Sequence, residues 1–301
     1  MKIGIAGIGR MGAAIAMRLL SFGHEITVWN RAIEKTQPLA TAGAHVAATP
    51  ALLATKSELI ITSLTNAAAI DTVYNGKHGL LAGSTGGKLF IEMSTVGPDT
   101  ERVLASKITA RGASFIDCPV GGTVGPAKDG KLFAFVGGES ADVARARPVL
   151  DQLCRRVEHV GPVGAGATLK LAINLPLMVY WQALGESLLL CAPLDLDPAR
   201  LMDILGDTSG APNVLKVRGG AIIAALKGQG TGPVTFDIDS IRKDLKTMIE
   251  EAQSLGGSLP VAERALECFD RASREGLGDH DAVALPVRWA HHVKSRKPGA
   301  V

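Results

Sequence analysis

Aromatic side chains are scarce in this chain: phenylalanine, tryptophan and tyrosine make up 4% of its 301 residues. Proteins that bind single-stranded nucleic acid stack bases on such rings, so this scarcity argues against that class. A strong charge of one sign is also missing, because the formal net charge is +3 and basic residues cluster only near the C-terminus, at Lys294, Arg296 and Lys297. Basic residues at a terminus are usually solvated, and we therefore expect no nucleic-acid partner.

Cysteine is rare and scattered. The four cysteines are Cys118, Cys154, Cys191 and Cys268, and their spacing fits neither a metal site nor a disulfide framework. We expect buried, reduced thiols in a cytoplasmic protein. The sequence shows no set of three histidines, or of histidines with a carboxylate, typical of a catalytic metal, and we expect no metal cofactor.

The sequence also lacks a long uninterrupted apolar run. Met1–Gly7 leads directly into a predicted strand, without the architecture of a signal peptide. The longest apolar stretch, Leu171–Gly185, is interrupted by Asn174 and Pro176. It is too short and too polar to span a membrane, so we expect a buried core helix and no membrane contact.

Short apolar runs alternate with helical patterns in the first half of the chain. Strands are predicted at 2–8, 25–29, 58–64, 88–94, 115–120, 132–136 and 157–160. Runs this apolar are typical of parallel strands covered by helices on both faces. From about Gly164 onward helices dominate, at 165–192, 198–207, 214–227, 239–256, 260–275 and 279–293. The sequence therefore predicts a doubly wound, Rossmann-type α/β domain over residues 1–163, joined by a long helix to an all-α domain over residues 164–301.

A glycine-rich motif follows the first predicted strand and opens a predicted helix at 10–22. The motif consists of Gly7, Ile8, Gly9, Arg10, Met11 and Gly12. Its first glycine allows a tight turn, its second lets the backbone approach a pyrophosphate, and its third lets helix and strand pack closely. A plain glycine-rich turn is the alternative, but the position at the first strand–helix junction favours a dinucleotide site at the helix N-terminus.

The end of the second strand distinguishes between the two nicotinamide cofactors. Asn30 and Arg31 stand where an acidic residue would bind the ribose hydroxyls of NAD. A guanidinium at this point suits a 2′-phosphate, so we expect NADP(H) to be preferred over NAD(H). The alternative is that Arg31 is a solvated surface arginine.

Lys170 and Asn174 stand four residues apart, on one face of the predicted long helix. Burying an ammonium group on so apolar a helix is costly without a partner. A lysine in a half-dry pocket can lose its proton near neutral pH, which suits a general acid/base. The alternative is a lysine that reaches water from the edge of the helix.

A second glycine-rich segment lies at 117–132. Gly121, Gly122 and Gly125 leave backbone amides uncovered at a strand end. This arrangement suits a carboxylate or another small anion, and a flexible hairpin loop is the alternative.

Four motifs together resemble the β-hydroxyacid dehydrogenase family, which includes 3-hydroxyisobutyrate dehydrogenases, tartronate semialdehyde reductases and glyoxylate/succinic semialdehyde reductases. The motifs lie at 7–12, 117–132, 164–174 and 242–245, and the resemblance covers nearly the whole chain. It implies an NADP(H)-dependent oxidoreductase that interconverts a small β-hydroxy acid and its semialdehyde by hydride transfer. The apolar second domain further favours a homodimer or homotetramer, since a symmetric interface would bury its side chains.

The resemblance also implies roles for single residues. Lys170 resembles the catalytic lysine that exchanges a proton with the substrate oxygen, and Asn174 resembles its partner in holding the substrate. Lys243 resembles the lysine that approaches the nicotinamide from the helical domain. By the same resemblance the cofactor contacts Leu64, Thr65 and Thr95, and the substrate contacts Ser94, Gly121, Gly122 and Thr123.

The chain departs from the family at the substrate segment. The motif there usually reads Asp-Ala-Pro-Val-Ser-Gly-Gly, whereas this chain has Gly121 at the serine position and Thr123 at the last glycine. The hydroxyl that would hold a substrate carboxylate is therefore missing. Cys118 replaces the alanine, and we interpret it as a packing residue. One alternative function is imine reduction, whose enzymes share the fold and cofactor site but typically use aspartate or tyrosine at the catalytic position. A catalytically silent NADP-binding scaffold is another.

Overall fold

The computed structural model describes residues 1–194 and 196–294, and Arg296 and Lys297 of the predicted basic cluster lie outside these ranges. The chain divides into two compact units, Met1–Ala172 and Ile173–Val301. Unit 1 carries a largely parallel sheet, and the part of unit 2 that is described is helical. The predicted fold class is therefore confirmed. The units divide inside the long helix, whereas the predicted boundary at 163/164 precedes that helix.

Unit 1 is built around one sheet. Its strands are β1 (Lys2–Ala6), β2 (Glu25–Trp29), β3 (His45–Val46), β4 (Leu59–Thr62), β5 (Leu89–Glu92), β6 (Ser114–Asp117), β7 (Val120–Gly121), β8 (Leu132–Gly138) and β9 (Cys154–Gly161). The order is β3-β2-β1-β4-β5-β6-β8-β7, with β9 paired to β8. The strands from β3 to β6 in this order are parallel neighbours, while β8 runs antiparallel to β6 and β7. The strand order reverses between β1 and β4, and ligands of such sheets bind beyond the carboxyl ends of the strands at that point.

Helices cover both faces of the sheet. Successive residues of a strand point to opposite faces, so each strand contributes side chains to two cores. Ile61 and Ile91 belong to one core, and Ile60 and Phe90 belong to the other. The first core receives side chains from α1 (Arg10–Ser21), α2 (Gln37–Thr41), α6 (Val124–Asp129) and α7 (Ser140–Leu153). The second receives them from α3 (Pro50–Lys56), α4 (Ala67–Asn75) and α5 (Pro98–Thr109). The glycine motif, Leu64 and Ser94 follow the carboxyl ends of β1, β4 and β5.

Two strands differ from the sequence prediction. The pattern misses β3, because His45 and Val46 are both exposed and form no apolar run. It also predicts one strand at 115–120, whereas the structure has β6 and β7 on either side of Cys118 and Pro119. Proline has no amide hydrogen to donate to a ladder, and the chain leaves β6 at this point to pair with another part of β8.

The longest helix, α8 (Ala165–Cys191), begins in unit 1, passes through Pro176 and ends in unit 2. In the described part of the chain, residues 165–194 are the one helical segment long and apolar enough to cross a membrane by length and composition, a test that core helices of soluble proteins also pass. Only 33% of its 18-residue apolar window is buried. Leu190, for example, is 80% exposed. The sequence predicts a buried core helix here, and within one copy of the chain α8 is buried only in part.

Unit 2 continues with α9 (Pro198–Gly206), α10 (Asn213–Leu226), α11 (Ile238–Ser254), α12 (Pro260–Ala272) and α13 (Ala284–Lys294). Asp197 and Asp237 cap α9 and α11 by accepting hydrogen bonds from backbone amides of the first turn. The last helix begins at Ala284 rather than at 279. Asp281 is held outside that helix, because it accepts hydrogen bonds from the Arg218 guanidinium and from the amide of Thr235.

Candidate active site

The turn between β1 and α1 has the shape that a bound pyrophosphate requires. Gly7 has a φ of 97°, and a Cβ there would lie 2.3 Å from the carbonyl oxygen of Ser63. A Cβ at Gly12 would lie 2.0 Å from the carbonyl oxygen of Gly7, so this glycine allows helix and strand to touch. A Cβ at Gly9 would meet nothing within 4 Å, and no side chain caps the start of α1 there. The amides of the first turn thus face open space in which an anion fits.

Asn30 and Arg31 lie beside this turn and differ in what their side chains do. Asn30 Oδ1 accepts a hydrogen bond from the amide of Ile8 at 3.0 Å, and its Nδ2 donates to the carbonyl oxygen of Ala32 at 2.8 Å. Asn30 therefore ties the glycine motif to the end of β2. Arg31 is exposed and makes no hydrogen bond or ion pair with any residue the structure describes. Its guanidinium is available to a ligand at the ribose end of the site.

The ends of β4 and β5 are joined by the predicted residues Leu64 and Ser94. The amide of Leu64 donates to Ser94 Oγ at 2.8 Å, which links the two loops. Thr65 is exposed and Thr95 is half-buried, so both lie near the surface at this edge of the sheet. The structure thus brings these four predicted residues to neighbouring strand ends.

A buried carboxylate that the sequence analysis missed supports these loops. Glu92, the last residue of β5, is fully buried and accepts hydrogen bonds from the amide of Ser94 at 2.8 Å and from the Thr62 hydroxyl. Tyr74 OH lies 2.8 Å from Thr62 Oγ1 and extends this network. Burial raises the pKa of Glu92, and its hydrogen bonds oppose that effect. The signal for it was a glutamate at the end of an otherwise apolar strand.

Glu101, on α5, is a second buried carboxyl group that the sequence analysis missed. It is fully buried, and neither of its oxygens has a hydrogen-bond partner among the described residues. Burial holds its pKa well above the ordinary value, and the nearby Glu92 and Asp117 carboxyls raise it further. Its surroundings therefore favour the neutral form of the Glu101 carboxyl group over the carboxylate.

Asp117, the last residue of β6, connects the sheet to α8. Its Oδ1 accepts from the amide of Gly164 at 2.7 Å, and its Oδ2 accepts from the amide of Ala167 at 2.8 Å. The carboxyl group is fully buried, and burial raises its pKa to about 6 although these backbone hydrogen bonds lower it. The first turn of α8 is thus capped by a side chain from a strand.

Lys170 and Asn174 lie on α8, one and two turns beyond this cap. Lys170 is 9% exposed and Asn174 is 7% exposed, although both carry polar groups on an apolar helix. Ala167, Lys170 and Asn174 are spaced by three and four residues, so they lie on one face of the helix. The alternative of a lysine that reaches water from the helix edge does not fit this burial.

The glycine-rich segment at 117–132 is structured rather than an open loop. Gly121 pairs with Phe133 of β8, and Gly122 adopts a φ of 120° that favours glycine. Thr123 is exposed and precedes α6. A Cβ at Gly121 would make ordinary contacts of 3.5 Å with the Phe135 ring, so the fold itself does not require glycine there. Cys118 is fully buried and its pKa is raised well above the ordinary value, because burial disfavours the thiolate.

Lys243 lies on α11 in unit 2, away in sequence from the other predicted cofactor residues. It forms an ion pair with Asp244, whose side chain is almost fully buried. Its neighbour Arg242 binds Asp239 and Asp270 and so joins α11 to α12. The approach of Lys243 to the nicotinamide stays a prediction.

Among the side chains that the structure describes, no three from His, Cys, Asp or Glu are arranged to hold a metal ion. The residues at the β1–α1 turn do fit a dinucleotide, because the space beside Gly9 is open and the helix start has no side-chain cap.

The chain matches two family models. Residues 2–161 match the NAD binding domain of 6-phosphogluconate dehydrogenase, and residues 164–288 match the NAD-binding domain of NADP-dependent 3-hydroxyisobutyrate dehydrogenase. Glyoxylate/succinic semialdehyde reductase 1 of Arabidopsis thaliana is 33% identical over 285 residues, which cover 95% of this chain and 97% of that protein. The 3-hydroxyisobutyrate dehydrogenase of Pseudomonas aeruginosa is 32% identical over 283 residues, which cover 91% and 95%.

Solved structures show the same relationship. The chain superposes on Psf3 in complex with NADP+ and 2-OPP with a TM-score of 0.85 and 27% identity, over 97% of this chain and 99% of that one. A reductive aminase from Aspergillus terreus in complex with NADPH and ethyl levulinate gives a TM-score of 0.62 and 25% identity, over 94% and 97%.

The doubly wound sheet with its glycine turn, followed by a helical unit, defines an NAD(P)-dependent oxidoreductase. The chain belongs to the β-hydroxyacid dehydrogenase family. It uses a nicotinamide cofactor and acts on small molecules, as a dehydrogenase of that general class.

Proposed function

We propose that this enzyme reduces a small semialdehyde to its β-hydroxy acid with NADPH, and catalyses the reverse oxidation, with Lys170 as the general acid/base. The observation that carries the proposal is the buried pair Lys170 and Asn174 on one face of α8. Proton transfer to a substrate oxygen gives a buried lysine on an apolar helix a chemical use. The relatives named as semialdehyde reductases and hydroxyacid dehydrogenases support the reaction class.

The residues have complementary tasks in this reaction. When bound, the nicotinamide supplies a hydride to the carbonyl carbon in reduction and accepts it in oxidation. Lys170, as an ammonium, donates its proton to the carbonyl oxygen in reduction. In oxidation its neutral amine accepts the proton of the hydroxyl group. Asn174 holds the same oxygen by hydrogen bonding, so that the proton and the hydride move to adjacent atoms.

NADP(H) is the proposed cofactor because of the electrostatics at the end of β2. Neither Asn30 nor Arg31 has a carboxylate that could bind the ribose hydroxyls. The side-chain amide of Asn30 is already hydrogen-bonded to the backbone of Ile8 and Ala32. The Arg31 guanidinium is exposed and suits a 2′-phosphate dianion.

The proposed substrate is a short semialdehyde such as glyoxylate, succinic semialdehyde or tartronate semialdehyde. The backbone around Gly121, Gly122 and Thr123 would receive the carboxylate, with Ser94 near the reacting carbon. Gly121 has no hydroxyl group to bind the substrate carboxylate. The backbone amides of this segment therefore bind the carboxylate in place of the serine hydroxyl that the family motif usually supplies.

Replacing Lys170 with alanine tests the assignment of the acid/base. We expect the Lys170→Ala variant to lose about 10²–10⁴-fold in kcat, the usual contribution of a positioned acid/base, while its Kd for NADPH stays within a factor of two. The measurement is NADPH consumption with the three semialdehydes, together with NADPH binding by fluorescence. Lys216→Ala, which removes an exposed lysine of α10, is the matched control. Full activity in the Lys170→Ala variant would contradict the proposal.

Imine reduction is the second candidate, and one observation favours it. Gly121 lacks the hydroxyl group expected for a carboxylate substrate, and reductive aminases are among the structural neighbours. Lys170 argues against it, since imine reductases typically carry aspartate or tyrosine at that place. Turnover of cyclic imines with NADPH, without turnover of any semialdehyde, would favour this candidate. NADPH binding without any turnover would favour a silent scaffold.

We also propose that the enzyme works as a homo-oligomer, a dimer or a tetramer. The apolar helix α8 is only partly buried within its own chain, and a second copy of the chain would cover the remaining surface.

A further inference from the structure

We propose that Asp117 is a positioning residue that fixes Lys170 against the substrate segment. The inference rests on the proposed function, because it concerns the lysine assigned there as the acid/base. It adds a residue that touches neither substrate nor cofactor and acts through the first turn of α8.

The contacts of Asp117 connect the two chain segments that must keep a fixed distance during proton transfer. Its carboxylate holds the amides of Gly164 and Ala167 at 2.7 and 2.8 Å. Ala167 precedes Lys170 by three residues, about 4.5 Å along the helix axis. On its other side Asp117 is followed by Cys118 and Pro119, which lead within four residues to Gly121. One buried carboxylate therefore sets the distance between Lys170 and the substrate segment.

The backbone packs closely around the Asp117 carboxylate. A Cβ at Gly137 would lie 2.3 Å from Asp117 Oδ1, and a Cβ at Gly166 would lie 2.8 Å from Oδ2. A Cβ at Gly166 would also lie 2.4 Å from the carbonyl oxygen of Phe135. Two glycines therefore make the space that the carboxylate fills, on the strand side and on the helix side.

The electrostatic setting makes this contact dependent on pH. The helix N-terminus favours a carboxylate, and Asp117 receives hydrogen bonds from its amides. On α5, the Glu101 carboxyl group, whose pKa is raised by burial and by the nearby Glu92 and Asp117, is close to Asp117, and the Arg102 side chain lies beside Gly164. Glu92 is its neighbour on β5, and the Cys118 thiol follows it on the chain. As the pH falls through about 6, Asp117 takes up a proton and loses one of its two good acceptors.

Weakening the contact between Asp117 and the first turn of α8 should lower kcat and leave cofactor binding unchanged. A displacement of about 1 Å at the reacting groups can cost about 10²-fold in rate. The residues proposed to hold the pyrophosphate and the ribose lie at the β1–α1 turn and at the end of β2, whereas the side chain of Asp117 holds the amides of Gly164 and Ala167. A merely structural role would instead reduce stability and affect all kinetic parameters together.

The test compares Asp117→Asn with the wild-type enzyme and with Glu101→Gln, a matched change of a neighbouring buried carboxyl group that has no hydrogen-bond partner. Asparagine presents an NH₂ group to one of the two amides, so one hydrogen bond is lost and two donors face each other. We expect kcat to fall about 10–100-fold with an unchanged Kd for NADPH, and hydrogen exchange in the peptide covering 164–170 to accelerate. In the wild type and in Glu101→Gln, kcat decreases as the pH falls through about 6, and in Asp117→Asn this decrease is absent.

Wild-type kcat in the Asp117→Asn variant overturns the inference, as does a wild-type kcat that stays flat between pH 5 and 8. If Asp117→Asn does not fold, Gly166→Ala replaces it, because the added methyl group, 2.4 Å from the Phe135 carbonyl oxygen and 2.8 Å from Asp117 Oδ2, pushes the first turn of α8 away from β8 and from the carboxylate without a change of charge. It should show the same loss of kcat with intact NADPH binding, and normal kcat there also overturns the inference. Lys170→Ala is measured alongside: if it retains full activity, the proposed function fails, whereas a failure confined to Asp117 leaves that function intact.

Discussion

At the scale of single residues, the neighbours Asn30 and Arg31 differ in what their side chains contact. Asn30 and Arg31 follow the same strand, yet the amide of Asn30 is occupied by the backbone of the glycine motif while the guanidinium of Arg31 is exposed. Asn30 therefore shapes the turn, and Arg31 is left to meet the ligand. The proposed preference for NADP(H) accordingly rests on Arg31.

Replacing Arg31 with alanine should shift the preference from NADPH toward NADH. A charge-assisted hydrogen bond to phosphate contributes about 1.5–3 kcal/mol, so we expect the KM for NADPH to rise at least about tenfold while the KM for NADH changes less than twofold. Initial rates with both cofactors provide the measurement. The control is Arg155→Ala, which removes an exposed arginine from β9, a strand that pairs with β8 toward the opposite edge of the sheet from β2. An unchanged ratio of the two KM values would mean that Arg31 is a solvated surface residue.

At the scale of elements, the sequence predicted what depends on apolar patterns and missed what depends on neighbours in space. The runs at 58–64 and 88–94 predicted β4 and β5, because fully buried strands need continuous apolar residues. The exposed pair His45 and Val46 carries no such pattern, and its pairing with β2 comes from the sheet. The cap of α8 by Asp117 joins residues about fifty positions apart, so no local motif indicates it. Glu101 looks like an ordinary helix glutamate until the fold surrounds it.

The buried carboxyl group on α5 makes the stability of unit 1 depend on pH. The pKa of Glu101 is raised well above its ordinary value by burial and by Glu92 and Asp117. The folded state therefore holds its proton more tightly than the unfolded state, and stability decreases as the pH rises above the ordinary pKa of glutamate. The loss is about 1.4 kcal/mol for each pH unit between the unfolded and folded pKa values.

Glu101→Gln removes this titration. We expect the free energy of unfolding of the variant, relative to that of the wild type, to increase as the pH rises above the ordinary glutamate pKa of about 4.5. Urea denaturation at several pH values measures it. Glu139→Gln, an exposed glutamate before α7, should change stability equally at every pH. A Glu101→Gln difference that does not vary with pH would show that the Glu101 carboxyl group titrates normally.

At the scale of the whole molecule, the burial of α8 changes along its length. Its first turns hold Lys170 and Asn174 almost fully buried, and its later part is apolar yet leaves Leu190 80% exposed. Val217 of α10, also in unit 2, is 70% exposed. Exposed apolar side chains of this size are typical of surfaces that another protein covers, and a second copy of this chain is the occupant that we propose.

Leu190→Glu should therefore weaken self-association. Burying a leucine side chain contributes about 1.5–3 kcal/mol, and a carboxylate in its place also has to be desolvated, so we expect the dimer dissociation constant to rise at least about tenfold. Light scattering coupled to size-exclusion chromatography should give two or four times the chain mass for the wild type and a smaller species for the variant. Val103→Glu, at a 57% exposed valine on α5 of unit 1, should leave the mass unchanged. A monomeric wild-type enzyme would contradict the proposed oligomer, and equal masses for both variants and the wild type would place the interface away from Leu190.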